Sequence, residues 1–433
     1  MINVKIGLYL QDYRKNIKNE FYNVLANAKN AKLDLLVFPE VCYTPFDSDF
    51  YENDILNNID NDKVRERAIE ISEYAGSAVI VGGRDKYGII YSVYANAYCD
   101  DDETETALYF KHTAAWDSPL GFAGYGENVE LYFQLVLLKR KKIGMTICYD
   151  CNHAAFSRMY YKACADIIIN TTGGNVVKSK WHRYNKVRAI ENNCFNFCTM
   201  GYHDNSKENS FNFGFTPHGK LMTGIPMAKG GTIGNITVYD TNNAPTGFED
   251  DINLNQTETI NAKGNYMLDV SKFNDVLMPA NEVAQNIWSV SAEKENLIIC
   301  TVDSEDILKP EKVLSLLYNI KLNDITNKRY LIVNRWNKLD RSFYNAILSD
   351  VLKVRSMENY CAVMLIADGF IKCYQCGMNR TAQTVAAELG AYNLDLGRMS
   401  GPEAIWKNKP GMMRAVWRNG YEKIIEHLRC NSQ

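Results

Sequence analysis

Cys148 closes an apolar run, Ile143 to Ile147, and is followed by a segment of helical spacing, Ala154 to Ala165, and a second apolar run, Asp166 to Asn170. This reads as strand, sharp turn, helix, strand. A thiol at such a turn lies beside the backbone N–H groups of a helix start, beginning with that of Tyr149, which find no partner inside the helix. Such amides hold negative charge that develops on a substrate oxygen, so a nucleophile placed there suits acyl transfer. Packing is the competing reading, because a free cysteine behaves as a small hydrophobe. A thiol also needs an activating neighbour to be a useful nucleophile. Two neighbours come from upstream. Leu35 to Phe38 is an apolar strand ending in Pro39 and Glu40, and Tyr109 and Phe110 close another strand that Lys111 follows. An ordinary ion pair at a sheet edge is the alternative for Glu40 and Lys111.

The segments LLVFPE, YFKH and IGMTICYD, in this order, resemble the three signature segments of the nitrilase superfamily of carbon-nitrogen hydrolases, and the likeness covers about residues 1–305. The resemblance implies Glu40 as general base, Lys111 as electrostatic stabiliser of the tetrahedral intermediate and Cys148 as nucleophile, with the Tyr149 amide helping to hold the anion. It also implies a second glutamate after the lysine, for which Glu127 in GYGENVEL is the best-placed residue and Glu130 a competitor. The physics agrees: a carboxylate can take the thiol proton, and a nearby ammonium favours the thiolate. The activity implied is hydrolysis of a non-peptide C–N bond through a cysteine thioester, on a small amide, a carbamoyl compound or glutamine. No metal and no organic cofactor is expected, and the resemblance implies a homo-oligomer, a dimer or larger.

The elements that must carry these residues are legible in outline. Val4 to Leu10 reads as a strand, Asn16 to Asn30 as an amphipathic helix with Phe21, Val24, Leu25 and Ala28 inward, and Val64 to Tyr74 as another helix. Ala78 to Gly83 is a strand closing on Gly-Gly, and Tyr91 to Tyr98 with Thr104 to Phe110 forms a hairpin. Alternating strands and helices predict an α/β fold with a mixed sheet covered by helices on one face. The resemblance implies an αββα sandwich. Trp116 to Glu127 reads as a glycine-containing loop that shapes the pocket, Thr171 to Asn175 as a loop beside the site, and Trp181 to Asn193 as a helix on which His182 and Arg183 are exposed.

A chain of 433 residues is too long for one ordinary core, and 46% apolar residues suffice for two. The first domain is expected over 1–305 with an Asn-, Asp- and Thr-rich insertion at about 240–295 and Asn296 to Val302 as its closing strand. A linker, 306–328, and a small α/β domain, 329–433, follow. From Lys321 onward 17 Lys and Arg face 10 Asp and Glu, a balance of +7; the remaining 31 and 41 give −10. The basic second domain therefore suits an anionic or phosphorylated ligand or docking on the first. Its stretch KCYQCGMNRTAQTVAAELG predicts a turn through Gly377 and a helix from near Asn379 to Gly390, with Gly377, Asn379 and Arg380 as an anion cradle. GMNRTAQTVAAEL resembles the phosphate-binding loop of cysteine-dependent phosphatases, but the place of their nucleophile holds Tyr374. A regulatory, ligand-sensing protein is the alternative function. Cys373 and Cys376 with His427 and Cys430 offer a zinc set by spacing alone. Asp340 reads as a helix N-cap. The chain shows no internal repeat, no secretory signal and no apolar run that spans a bilayer, so a cytoplasmic protein with reduced thiols is expected.

Overall fold

The computed structural model describes residues 3–14, 18–42, 62–85, 89–113, 132–174, 176, 178–202, 212–227, 236–246, 266–269, 281–284, 287–292, 295–318, 328–359, 361–367, 370–377, 380–384, 386–388, 391–394, 423–424 and 426–428. Contacts divide the chain into two compact units, Met1–Gly247 with Gly411–Ile424, and Phe248–Pro410 with Ile425–Gln433.

In the first unit the chain runs β1 (Lys5–Tyr9), β2 (Gln11–Asp12), α1 (Lys18–Asn30), β3 (Leu35–Val37), α2 (Asp62–Ala75), β4 (Ala78–Arg84), β5 (Ile90–Ala95) and β6 (Thr106–Phe110). It continues through β7 (Val136–Leu138), β8 (Lys141–Ile147), a 3-10 turn (Cys148–Asn152), α3 (Ala154–Lys162), β9 (Ile167–Thr172), α4 (Lys178–Asn192), β10 (Phe195–Tyr202), β11 (Phe213–Phe215), β12 (Ile225–Pro226) and β13 (Ile236–Asp240). One sheet has the order β12-β13-β1-β3-β4-β5-β6, and the other β11-β10-β9-β8-β7 with β2 paired to β10. β1, β3 and β4 are parallel, as are β8, β9 and β10, so each pair needs a crossover, and α1 to α4 supply them. From α1, Phe21, Val24, Leu25 and Ala28 point inward as expected. They join Val64, Ala68, Ile71 and Ala75 of α2 in a cluster with Leu36, Phe38, Val79 and Val81 of the sheet. β1 touches β10, and β5 and β6 touch β8, so the sheets meet face to face with helices outside them. The result is the αββα sandwich; strands buried on both faces explain the unbroken apolar runs of β8 and β9.

The second unit holds β14 (Tyr266–Asp269), β15 (Asn281–Ala284), β16 (Ile287–Ala292), β17 (Glu295–Asp303), α5 (Pro310–Tyr318), β18 (Lys328–Trp336), helical residues Arg341–Phe343, Tyr344–Leu348 and Ser349–Asn359, β19 (Ala362–Ala367), β20 (Phe370–Gly377), β21 (Arg380–Thr384), β22 (Ala386–Glu388) and β23 (Ala391–Leu394). Its main sheet has the order β15-β16-β17-β18-β19-β20-β21, and β14, β23 and β22 form a small one. Helix residues Val313, Leu317, Tyr344, Leu348 and Leu352 pack on Ile298, Cys300, Ile332, Val363 and Leu365. Asp340 caps its helix by accepting from the Ser342 N–H at 2.7 Å.

Several expectations change here. The strand Asn296 to Val302, expected to close the first domain, lies within β17, which pairs with β16 and, in parallel, with β18. The stretch expected as a linker contains α5, because parallel neighbours need a crossover. Where a helix was expected from Asn379 to Gly390, the described residues are strand: Arg380–Thr384 pairs antiparallel with β20, with Gly377 opposite Arg380, and Ala386–Glu388 pairs with β23. Cross-strand pairing outweighs the helical preference of Ala, Gln and Glu. Of the three residues expected to cradle an anion, Gly377 and Arg380 face each other across the β20–β21 pair. Asn379 and Cys430 lie outside the described residues, and among those described no group of three or more His, Cys, Asp or Glu is placed to hold a metal ion. No helix among them is long and apolar enough to cross a membrane. A repeat invisible in the sequence also emerges. Both seven-stranded sheets read, from edge to edge, antiparallel, antiparallel, parallel, parallel, antiparallel, antiparallel.

Arg355 is fully buried, pairs with Glu358 at 2.6 Å and donates to the Ile307 carbonyl at 3.0 Å, tying the second crossover to the first. Arg355→Ala leaves the Glu358 charge without this partner, so a loss of about 3–5 kcal/mol is expected in urea unfolding of the full chain.

Candidate active site

Glu40 comes from the end of β3, Lys111 from the end of β6 and Cys148 from the end of β8, and all three are more than nine-tenths buried. Lys111 Nζ lies 2.6 Å from Glu40 Oε1, and the Gly173 N–H donates to Glu40 Oε2 at 2.9 Å. The loop after β9, expected beside the site, thus orients the acid. The Tyr13 hydroxyl donates to the Glu40 carbonyl. Past Glu40 the chain bends through Val41 at φ +50, a left-handed backbone that costs a β-branched residue energy. The bend lies flat on β4: the Cys42 N–H donates to the Gly82 carbonyl at 3.1 Å, and a Cβ on Gly82 would meet Val41 N at 2.5 Å and Pro39 O at 2.6 Å. This close approach is the reason for glycine at position 82.

Cys148 is itself left-handed, at φ +47, on the step from β8 into the 3-10 turn, and Tyr149 follows it in that turn. The turn is held from behind by α4. Arg188 Nε donates to the Cys151 carbonyl at 2.8 Å while its guanidinium pairs with buried Glu191 at 2.5 Å. Asn170 donates to the Cys148 carbonyl at 3.4 Å. The Tyr149 ring lies 5.7 Å from that of His153, with Lys180 Nζ 5.8 Å from the Tyr149 centroid. His182 and Arg183 are buried, against expectation; the His182 ring packs 4.2 Å from that of Phe213.

The three groups sense one another's charge. Burial pushes the Cys148 thiol well above its ordinary range, the Glu40 carboxylate adds to this, and Lys111 opposes it. Burial works against the Lys111 ammonium, but the charges of Glu40, Cys148 and Asp150 outweigh it and raise its pKa. Burial pushes His112 and His153 down to about 3, so both are neutral at pH 7 and poor bases. The arrangement is a neutral thiol with an acceptor for its proton and a fixed cation beside it. Glu127 and Glu130 lie outside the described residues. The sequence reading missed Asp150, Arg188 and Gly173. Asp150 stands two residues after Cys148 and was the one with a signal, a buried acid inside the turn.

Residues 12–212 match the family model described as carbon-nitrogen hydrolase. The matched segment is just under half of the chain's length. Solved structures similar to it include an amidase from Nesterenkonia sp., at 17% identity and TM-score 0.40, covering 55% of this chain and 89% of that one. A carbon-nitrogen hydrolase from Helicobacter pylori G27 has 17% identity, TM-score 0.39 and the same coverage. Saccharomyces cerevisiae Nit3, a member of branch 10 of the nitrilase superfamily, has 16% identity and TM-score 0.37, covering 55% and 89%. A search of curated proteins found no match.

Because the Cys148 pKa is raised, its alkylation by iodoacetamide is expected to stay slow at pH 7 and climb with pH. Glu40→Gln removes a charge that holds the proton on, so alkylation at a given pH quickens; Lys111→Met removes the opposing charge and slows it. Coincident pH profiles for all three proteins, followed by mass spectrometry, would refute this electrostatic account. Gly82→Ala forces the Glu40 bend off β4 and is expected to cost about 1–3 kcal/mol in thermal unfolding.

Proposed function

We propose that this protein hydrolyses a non-peptide C–N bond of a small amide or carbamoyl compound, glutamine included, through a thioester on Cys148. The observation that carries the reading is the meeting of Glu40, Lys111 and Cys148 in one buried place, with carboxylate and ammonium 2.6 Å apart.

The thiol is neutral at rest, so it must lose its proton as it attacks the carbonyl carbon, and the neighbouring Glu40 carboxylate accepts it. The carbonyl oxygen becomes an oxyanion, which the Lys111 ammonium and the Tyr149 backbone N–H at the head of the turn stabilise. Glu40, now protonated, gives the proton to the leaving nitrogen; the C–N bond breaks, ammonia or an amine departs, and the acyl group remains as a thioester. Glu40 then takes a proton from water, the hydroxide attacks the thioester, and the carboxylic acid leaves as the thiol is reprotonated. Lys111 stays charged throughout, because its surroundings favour the ammonium.

Cys148→Ala is expected to abolish ammonia or amine release with the fold intact by circular dichroism, and the wild-type chain to show an acyl adduct on Cys148 by mass spectrometry after acid quench. Undiminished release from the variant would reject the mechanism.

A further inference from the structure

Asp150 is fully buried, and its carboxylate accepts from five donors on two separate segments. Oδ2 receives the Tyr109 hydroxyl at 2.9 Å, the His112 N–H at 3.3 Å and the Ile147 N–H at 3.3 Å. Oδ1 receives the Thr113 N–H at 2.9 Å and its hydroxyl at 2.7 Å. Tyr109, His112 and Thr113 flank Lys111 on both sides, and Ile147 immediately precedes Cys148. We propose that Asp150 is a positioning residue for the hydrolysis, fastening the strand end that bears Lys111 to the turn that bears Cys148. The inference rests on the Glu40, Lys111 and Cys148 reading given above.

The donor set fits only one form of the side chain. Backbone N–H groups can only donate, and an ionised carboxylate is acceptor-only, so all five bonds are met at once. Bonds to an ionised acceptor are also about twice as strong as neutral ones. An asparagine of the same shape offers one oxygen and an NH2, which must face donors on one side. The strand end then loses its anchor and Lys111 its fixed distance from the reacting carbon, and a misplacement of about 1 Å costs on the order of a hundredfold in rate.

In the full chain, Asp150→Asn is expected to lower kcat for ammonia release by about a hundredfold, with KM changed far less. Thr113→Val keeps every charge and removes one donor; its kcat falls less, and its Cys148 alkylation profile moves to higher pH as Lys111 drifts. Thr113→Ser restores the hydroxyl and both readouts. An Asp150→Asn enzyme as fast as wild type, a Thr113→Val profile that coincides with wild type, or a Thr113→Ser no better than Thr113→Val overturns the proposal. If Lys111→Met and Cys148→Ala leave ammonia release intact, the underlying mechanism fails instead. If they abolish it while Asp150→Asn does not, only the positioning role fails.

A separate observation concerns the second unit. Its strand registers run Ile299–Leu331–Ala362, as Ile6–Leu35–Ala78 do in the first unit. With these matched, Ile332, Val363 and Leu365 take the places of Leu36, Val79 and Val81, and both sets face crossover helices. Trp336 then stands where Glu40 does, and Ile366 where Gly82 does. β3 stops at Val37 and bends, whereas β18 runs on to Trp336 and pairs it with Ala367. We infer that the second unit is a silent copy of the acid-bearing half of the hydrolase, without the bend that carries the acid. In a crystal structure of the full chain, matched Cα atoms of the five central and hairpin strands should superpose more closely than the strand spacing of about 4.8 Å, and Trp336→Ala should leave kcat within twofold. A different strand order, or a kcat loss beyond tenfold in a folded variant, overturns the inference.

Discussion

A carboxylate and an ammonium 2.6 Å apart in a nearly dry interior are the constraint around which the first unit is arranged. Neither charge is tolerable there alone, since an unpaired buried ion costs several kcal/mol. Together they offset each other and surround the thiol with opposing influences. Glu40 and burial hold the proton on Cys148, while Lys111 draws it off.

The sandwich supplies this arrangement by ending three strands at one edge. β3 and β6 belong to one sheet and β8 to the other, so the site exists only when the two sheets face each other. Each strand end is bent by a local device: Val41 at φ +50 over side-chain-free Gly82, and Cys148 at φ +47 braced by Arg188 from α4. Strain of this kind persists only where the surroundings over-determine it. In the second unit β18 runs on to Trp336, which pairs with Ala367 of β19.

Much of this was legible in the chain. The inward residues of α1 and the apolar runs of β8 and β9 follow from periodicity, and Cys148, Glu40 and Lys111 follow from a residue of useful chemistry at each strand end. The burial of His182 and Arg183 was not legible, because α4 carries polar residues on all sides and looks solvated. The strands at Arg380–Thr384 and Ala386–Glu388 were hidden as well. Their local composition favours helix, and only pairing with β20 and β23 decides otherwise. The repeated sheet was hidden because topology asks only for apolar alternation in the right order, which leaves residue identity free.

What the amino-acid order determined by itself was which groups were available and that each would emerge at a strand terminus, since strand runs and their polar ends are encoded within about ten residues. Which of those termini meet, that Gly173 aims the acid, and that Asp150 joins the segments around Lys111 and Cys148 were decided by the tertiary structure. These depend on contacts between residues far apart in the chain, which no local pattern records.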